Sequence, residues 1–135
     1  MGNAHRRIGA AVTRLERQIA ARSPRDECLA SHAALGRMLS EHFRLEEGVV
    51  FPLLLLVTGD QARAAVDLLI EEHAGLRESL AEVGRELRGR TRRSRAFEAL
   101  RDDLSRHRAR EARLLYPLSD RLFPETLREQ IARKS

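Results

Sequence analysis

Cysteine is almost absent from this chain of 135 residues, and Cys28 is the only one. A single cysteine cannot form an intrachain disulfide, so nothing indicates an oxidising compartment. The N-terminus lacks the apolar stretch that is typical of a signal peptide. The longest apolar run, Val49 to Val57, is interrupted by Pro52 and falls well short of the roughly 18 residues of a membrane span. We therefore expect a cytoplasmic protein with no membrane partner.

Aromatic residues, glycine and proline are also few. There are four Phe, one Tyr and no Trp, with 8 Gly and 4 Pro. So few turn-forming residues exclude an all-β fold of many short strands, and the core must consist mainly of Leu, Val, Ile and Ala. The length suits one domain over residues 1–135. The expected fold class is all-α.

Lysine is nearly missing as well, since Lys134 is the only lysine among 25 basic residues and the others are arginine. The 20 acidic residues leave a net charge of +5, which keeps nucleic acid open as a partner. The arginines, however, are interleaved with Glu and Asp along almost the whole chain. That pattern is typical of solvated helix faces, so it argues against nucleic-acid binding.

What the chain does contain is a helical pattern that three turn signals interrupt. Ser23-Pro24 is typical of an N-cap followed by proline at the first helical position, and Thr58-Gly59-Asp60 of a helix stop followed by an N-cap. The polar stretch from Gly89 to Ser94 forms a third connection. Long segments with short loops favour antiparallel neighbours. The sequence therefore predicts an antiparallel up-down-up-down four-helix bundle, with a short C-terminal helix around Glu125 to Ala132.

Each of the four segments carries a stripe of core-facing residues spaced three or four apart, as on one helix face. The second stripe consists of Leu35, Leu39, His42, Glu46, Val49 and Leu53. All four stripes contain a histidine, and in two of them a glutamate follows four residues later. These six polar residues on core-facing positions are His5, His42, Glu46, His73, His107 and Glu111.

Six ionisable side chains in a core need partners, because burying one unpaired carboxylate already costs several kcal/mol. Counting from the turns at about 1.5 Å per residue places all six within about one helical turn of the same level. A metal cluster explains this layer most simply; the alternative is a plain layer of salt-bridged His and Glu. Four imidazoles and two carboxylates fit two first-row metal ions bridged by the two Glu, with iron, Mn or Zn as candidates.

One motif, His-x-x-x-Glu followed by aromatic-Pro-Leu, occurs twice, beginning at His42 and at His107. The two halves of the chain are therefore similar helical hairpins, and the site is expected to be two-fold symmetric. Together with His73 on the third segment, the pattern resembles the hemerythrin-like, His-His-Glu cation-binding domains over nearly the whole chain. By this resemblance, the four stripe histidines are terminal iron ligands, and Glu46 and Glu111 are bridging carboxylates.

Two positions depart from the oxygen-carrying hemerythrins. Those proteins have a second histidine one turn after the third-helix histidine, where this chain has Arg77, and a fourth-helix aspartate where it has Ala112. The chain therefore resembles a four-His, two-Glu type with a more open site. This resemblance implies a non-haem di-iron protein that binds, senses or detoxifies O2, peroxide or nitric oxide. If the protein is an enzyme, the same resemblance implies peroxide or nitric oxide as its substrate.

Two other functions remain open. A di-iron oxygenase acting on an organic substrate needs an apolar cavity beside the metals, which a gap at Gly9, Gly75 or Gly84 would indicate. A metal-poor interaction module would instead bind acidic partners through its arginine-rich faces. The sequence decides neither the oligomeric state nor whether the protein is an enzyme.

Three further residues lie close to this pattern. His32 is on the second stripe but about 15 Å along the helix from His42, so we expect a core or interface histidine. Glu47 and Glu72 adjoin predicted ligands. We expect solvated side chains there or, for Glu72 in particular, a carboxylate that holds a ligand histidine.

Overall fold

The computed structural model describes residues 2–89 and 95–115, and every element in these ranges is helical. In chain order the elements are α1 (Gly2–Ala20), α2 (Arg25–Leu45), a π-helical segment (Glu46–Val50), α3 (Phe51–Thr58), a 3-10 segment (Gly59–Ala62), α4 (Arg63–Arg88) and α5 (Arg95–Leu114). The predicted all-α class is confirmed. The predicted C-terminal helix around Glu125 to Ala132 and most of the Gly89–Ser94 connection lie outside the described residues.

The first two predicted turns are present, but their details differ from the prediction. α2 begins one residue later than expected, and Pro24 rather than Ser23 takes the N-cap position, with φ −51° and ψ 142°. Gly59 ends α3 with φ 63°, a left-handed conformation that favours glycine. The predicted N-cap residue Asp60 lies inside the 3-10 segment, because this extra turn delays the start of α4.

The π-helical segment changes which side chains face the core. The N–H of Phe51 donates to the carbonyl of Glu46, five residues earlier. The next residue, Pro52, has no N–H for the usual bond four residues back, so the local helix is weakened where the π turn forms. The added residue rotates the chain, and Val50 is buried whereas Val49, predicted on the core stripe, is 42% exposed.

Helices that pack together run in opposite directions. Contacts link α1 with α2, α2 with α4, and α4 with α5. Between α1 and α5, Glu16 pairs with Arg101 at 2.6 Å, and His5 lies 3.8 Å from Glu111. Because the earlier residue of α1 meets the later residue of α5, these two helices are antiparallel.

The apolar core is divided into two clusters. The larger cluster consists of Ile8, Leu15, Cys28, Leu35, Leu39, Phe43, Leu76, Val83, Leu87, Phe97, Leu100 and Leu104. The smaller consists of Val50, Phe51, Leu54, Ala62, Val66, Leu69 and Leu115. Along α4 and α5, the predicted ligands His73, His107 and Glu111 lie between members of the two clusters. The polar residues therefore form a layer across the core.

One stretch of the chain is apolar enough, by length and composition alone, to cross a membrane. It lies within Arg25–Arg88, where an 18-residue window has a mean hydropathy of 1.4 and is 28% buried. The Arg25–Arg88 stretch folds back on itself, since Glu46 and His73 approach to 3.1 Å across the turn at Gly59. The large apolar side chains exposed on the described residues are Val49, Leu56, Val57 and Ile70. The absence of a membrane partner stays a prediction.

Gly84 allows α2 and α4 to approach closely at His32. A Cβ at position 84 would lie 2.9 Å from Cε1 of His32. The ring cannot turn away without breaking the 2.8 Å bond that its Nε2–H donates to the carbonyl of Leu80. We therefore expect Gly84→Ala to lower the free energy of unfolding by about 1–3 kcal/mol in urea titrations, despite the better helix propensity of alanine.

A double variant provides the control for Gly84. With His32→Ala the clash is gone, so the double variant should be less destabilised than the sum of the two single variants. Strict additivity would show that the contact between Gly84 and His32 is not the cause.

Candidate metal centre

Two groups of potential metal ligands meet at one carboxylate. In each group the ligand atoms all lie within 4.8 Å of one another. The first consists of Glu46, His73, His107 and Glu111, and the second of His5, His42 and Glu111. Five of these side chains are buried, and His5 is half-buried. The structure therefore brings together all six residues that the sequence analysis singled out, and Glu111 belongs to both groups.

Glu111 faces the two groups with different oxygen atoms. Its Oε1 lies 2.6 Å from Nε2 of His107 and 3.8 Å from Nε2 of His73. Its Oε2 lies 3.8 Å from Nε2 of His5. One carboxylate can therefore contact a cation in each group.

Glu46 faces the same space from the π-helical segment. Its Oε1 lies 3.1 Å from Nε2 of His73 in the first group and 3.3 Å from Nε2 of His42 in the second. Both carboxylates thus reach histidines of both groups, as bridging ligands must.

Two further carboxylates hold the histidines of the first group from outside. Nδ1–H of His73 donates to Oε2 of Glu47 at 2.6 Å, and Nδ1–H of His107 donates to Oε1 of Glu72 at 2.8 Å. When a neutral imidazole carries its proton on Nδ1, the lone pair of Nε2 points into the cluster. This tautomer is the one that can bind a metal through Nε2. The contact expected for Glu72 is present, and Glu47 makes the equivalent one.

Two arginines bind these outer carboxylates on the side away from the cluster. Arg77 donates to Glu47 at 2.9 Å, and Nη1 of Arg110 lies 3.1 Å from Oε2 of Glu72. Arg77 also lies 5.3 Å from the ring centroid of Phe43. Arg77, which replaces the second third-helix histidine of the oxygen carriers, therefore binds Glu47 instead of entering the cluster.

Burial and mutual contacts shift the pKa values of the cluster in opposite directions. Desolvation lowers the pKa of His42 to about 4 and also lowers that of His5, which favours neutral imidazoles. Desolvation raises the pKa of Glu46 to about 8. Around His73, desolvation is outweighed by the nearby carboxylates of Glu111 and Glu46, which raise its pKa to about 9. Around Glu111, desolvation is outweighed by the neighbouring His107 and His73, which hold the pKa of this carboxyl below its usual range.

Several buried atoms of the cluster make no hydrogen bond within the described part of the chain. They include both carboxylate oxygens of Glu46 and the Nε2 atoms of His73 and His107. Buried polar atoms without partners destabilise a fold. A cation among them would satisfy these lone pairs, and imidazole with carboxylate is a donor set that first-row metals accept. The residues present therefore fit a metal site.

A comparison with known families gives an independent result. The family model described as the hemerythrin HHE cation-binding domain matches residues 1–119. The chain belongs to this family. The match includes both ligand groups, so the resemblance inferred from the motifs is confirmed. No curated protein and no solved structure gives a significant match.

This hemerythrin HHE domain has a cleft of about 420 Å³ beside the cluster, between α1 and α5. Its lining includes His5 and Gly9. Of the three glycines considered as gaps beside the metals, Gly75 is instead exposed and Gly84 packs against His32. His32 belongs to neither ligand group. Only Gly9 among them therefore opens space next to a predicted ligand.

Proposed function

We propose that this protein holds two non-haem iron ions in the buried cluster, bridged by Glu46 and Glu111. In this proposal it binds, senses or detoxifies O2, peroxide or nitric oxide there. The sharing of Glu111 by two ligand groups is the observation that carries the proposal. His5, His42 and Glu111 supply two histidines and one carboxylate, the combination typical of non-haem iron(II) sites with open positions. Mn or Zn would fit the same donors.

The side chains around the cluster determine its chemistry and its access. The bound ions would supply redox chemistry and Lewis acidity. Glu47 keeps His73 oriented, and the rings of Phe43 and Phe51 pack against His73 with centroids 3.9 Å and 5.8 Å away. These rings exclude water from that side. A small ligand would therefore enter on the opposite side, past the partly exposed His5.

The proposal extends to the whole chain. α1, α2 with its continuation through α3, α4 and α5 would form an antiparallel four-helix bundle of the four-His, two-Glu type, as a single domain over residues 1–135. The opposed directions of packed helices support this arrangement. Surface pairs such as Arg85 with Glu82 and Arg106 with Asp103 favour solvated helix faces over a nucleic-acid surface. In this proposal the protein is cytoplasmic and has no membrane partner.

A second function is favoured by one observation. Gly9 opens a partly apolar cleft next to His5, as a di-iron oxygenase acting on an organic substrate requires. The metal-poor interaction module receives no such support, because an unfilled cluster leaves the buried oxygens of Glu46 and Nε2 of His73 without hydrogen bonds within the described residues.

Metal analysis and optical spectroscopy test the metal centre. Purified protein loaded with iron should contain about two ions per chain, and its oxidised form should show charge-transfer bands that change with azide, peroxide or nitric oxide. The variant His42→Ala/His107→Ala removes one histidine from each group and should bind little iron, whereas His32→Ala should bind iron normally. Well under one metal per chain, or an unchanged metal content in the double variant, would overturn the proposal.

Metal binding at pH 7 should release protons. Without metal, the raised pKa values of His73 and Glu46 keep protons on this pair at pH 7. Because the charge of Glu46 helps to raise the pKa of His73, the two groups titrate together, and we expect release of at least about one proton per chain when a cation binds. The apparent affinity for Zn²⁺ should rise with pH up to about 9 and then level off. Calorimetric titrations in buffers of different protonation enthalpy measure the release, and no release at pH 7 would contradict the expectation.

A further inference from the structure

Among the residues that the structure describes, the cleft between α1 and α5 contains an arginine that pairs with no carboxylate. Of the two arginines that line it, Arg101 is paired with Glu16 at 2.6 Å. Within residues 2–89 and 95–115, no carboxylate forms an ion pair or hydrogen bond with the half-buried Arg108. Nη1 of Arg108 lies 3.7 Å from where a Cβ on Gly9 would be. A half-buried charge without a partner is costly, and an anion in the cleft would offset that cost.

The other walls of the cleft are largely apolar. Val12 lies on the α1 side, and Leu104 and Ala109 lie on the α5 side. Its volume of about 420 Å³ is at the lower end of the roughly 300–1,000 Å³ typical of small-molecule sites. Largely apolar walls beside Arg108 favour a ligand with a hydrocarbon body over a bare inorganic anion.

We propose that this cleft binds a small organic monocarboxylate. Arg108 would hold the carboxylate through two parallel hydrogen bonds, and the hydrocarbon body would lie along Val12 and Leu104. His5 lines the same cleft, so the bound acid would lie next to the ligand group with open positions. The inference rests on the proposed metal centre for its chemical purpose, but the binding step itself involves only Arg108 and the apolar walls.

Titration of the 135-residue chain, loaded with diamagnetic Zn²⁺, with hexanoate tests this inference. We expect saturable binding with a Kd of about 1 mM. Binding of hexan-1-ol and hexylammonium should be at least about tenfold weaker, because neither presents a carboxylate to Arg108. Backbone amide shifts in nuclear magnetic resonance spectra should concentrate at Gly9, Val12 and Ala109.

Four variants locate the binding. Arg108→Gln should weaken hexanoate binding at least about tenfold, and Arg108→Lys should recover part of the loss. Arg113→Gln removes an exposed arginine from the same helix and should leave the affinity unchanged. Gly9→Leu fills the cleft without changing its charge and should abolish binding.

The outcomes separate this inference from the proposed function. No saturation up to about 20 mM hexanoate, or equal affinity in Arg108→Gln, would overturn the cleft proposal. Equal affinity in Arg108→Gln would indicate that the carboxylate binds the metal instead. Metal content is measured in the same samples. Failure to bind metal would overturn the proposed function, and normal metal content without hexanoate binding would overturn the cleft proposal alone.

Discussion

Removal of the metal ions is expected to lower the midpoint of thermal unfolding by more than about 10 °C. The predicted ligands lie on α1, α2, the π-helical segment, α4 and α5, so only the folded chain assembles them. A ligand present at a thousand times its Kd adds about 4 kcal/mol to the free energy of unfolding. In a chain of this size, each kcal/mol shifts the midpoint by several degrees.

Scanning calorimetry of Zn²⁺-loaded and chelator-treated protein measures the difference. Glu41→Gln is a matched control, because it removes an exposed carboxylate next to His42 that belongs to neither ligand group. It should preserve the full difference between the two forms. Midpoints within about 2 °C of each other for loaded and chelated wild-type protein would mean that the cluster does not hold a tightly bound ion.

The polar layer could be predicted because helix geometry converts spacing into position. His42 and Glu46 are four residues apart, as are His107 and Glu111, so each pair lies on one helix face. Equal distances from a turn give equal heights on antiparallel helices. Because burying an unpaired charge is costly, buried His and Glu side chains at the same height are expected to contact each other. These steps depend only on local geometry, which the sequence specifies directly.

The π-helical segment could not be predicted from the stripe. A regular helix, with core residues three or four apart, would place Val49 in the core. In the structure, however, Val50 is buried instead. Pro52 was the available signal, since it removes one backbone donor at this point. A proline near a helix end is compatible with a kink, a stop or a π turn. The choice among these three depends on how Phe51 packs in the smaller apolar cluster. The local sequence does not specify that packing.

The symmetry of the site was predicted only in part. Each half of the chain supplies the two histidines of one group, as the repeated hairpin indicates. The halves differ in their outer contacts, however. Glu47 and Glu72 hold the histidines of the second half, whereas Nδ1 of His42 makes no hydrogen bond within the described residues. The differences arise from contacts between residues far apart in the chain, which periodicity does not specify.

Glu111 is expected to have a larger effect on metal content than any other predicted ligand. It belongs to both ligand groups, whereas His5 belongs only to the second. Glu111→Gln keeps the size of the side chain but removes the charge that both cations would contact. We therefore expect Glu111→Gln to reduce iron from about two ions to well under one per chain, and His5→Gln to leave about one.

Metal analysis of anaerobically loaded protein, with circular dichroism to verify folding, measures this difference. Glu98→Gln, an exposed substitution on the same helix, should keep about two ions. The graded loss distinguishes two cations that share a carboxylate from a polar layer that binds one cation. Only a centre with two ions can fall from about two ions to about one in His5→Gln and to well under one in Glu111→Gln. Full occupancy in Glu111→Gln would exclude Glu111 as the bridge, and would leave Glu46, which also faces histidines of both groups, as the only carboxylate in that role among the described residues.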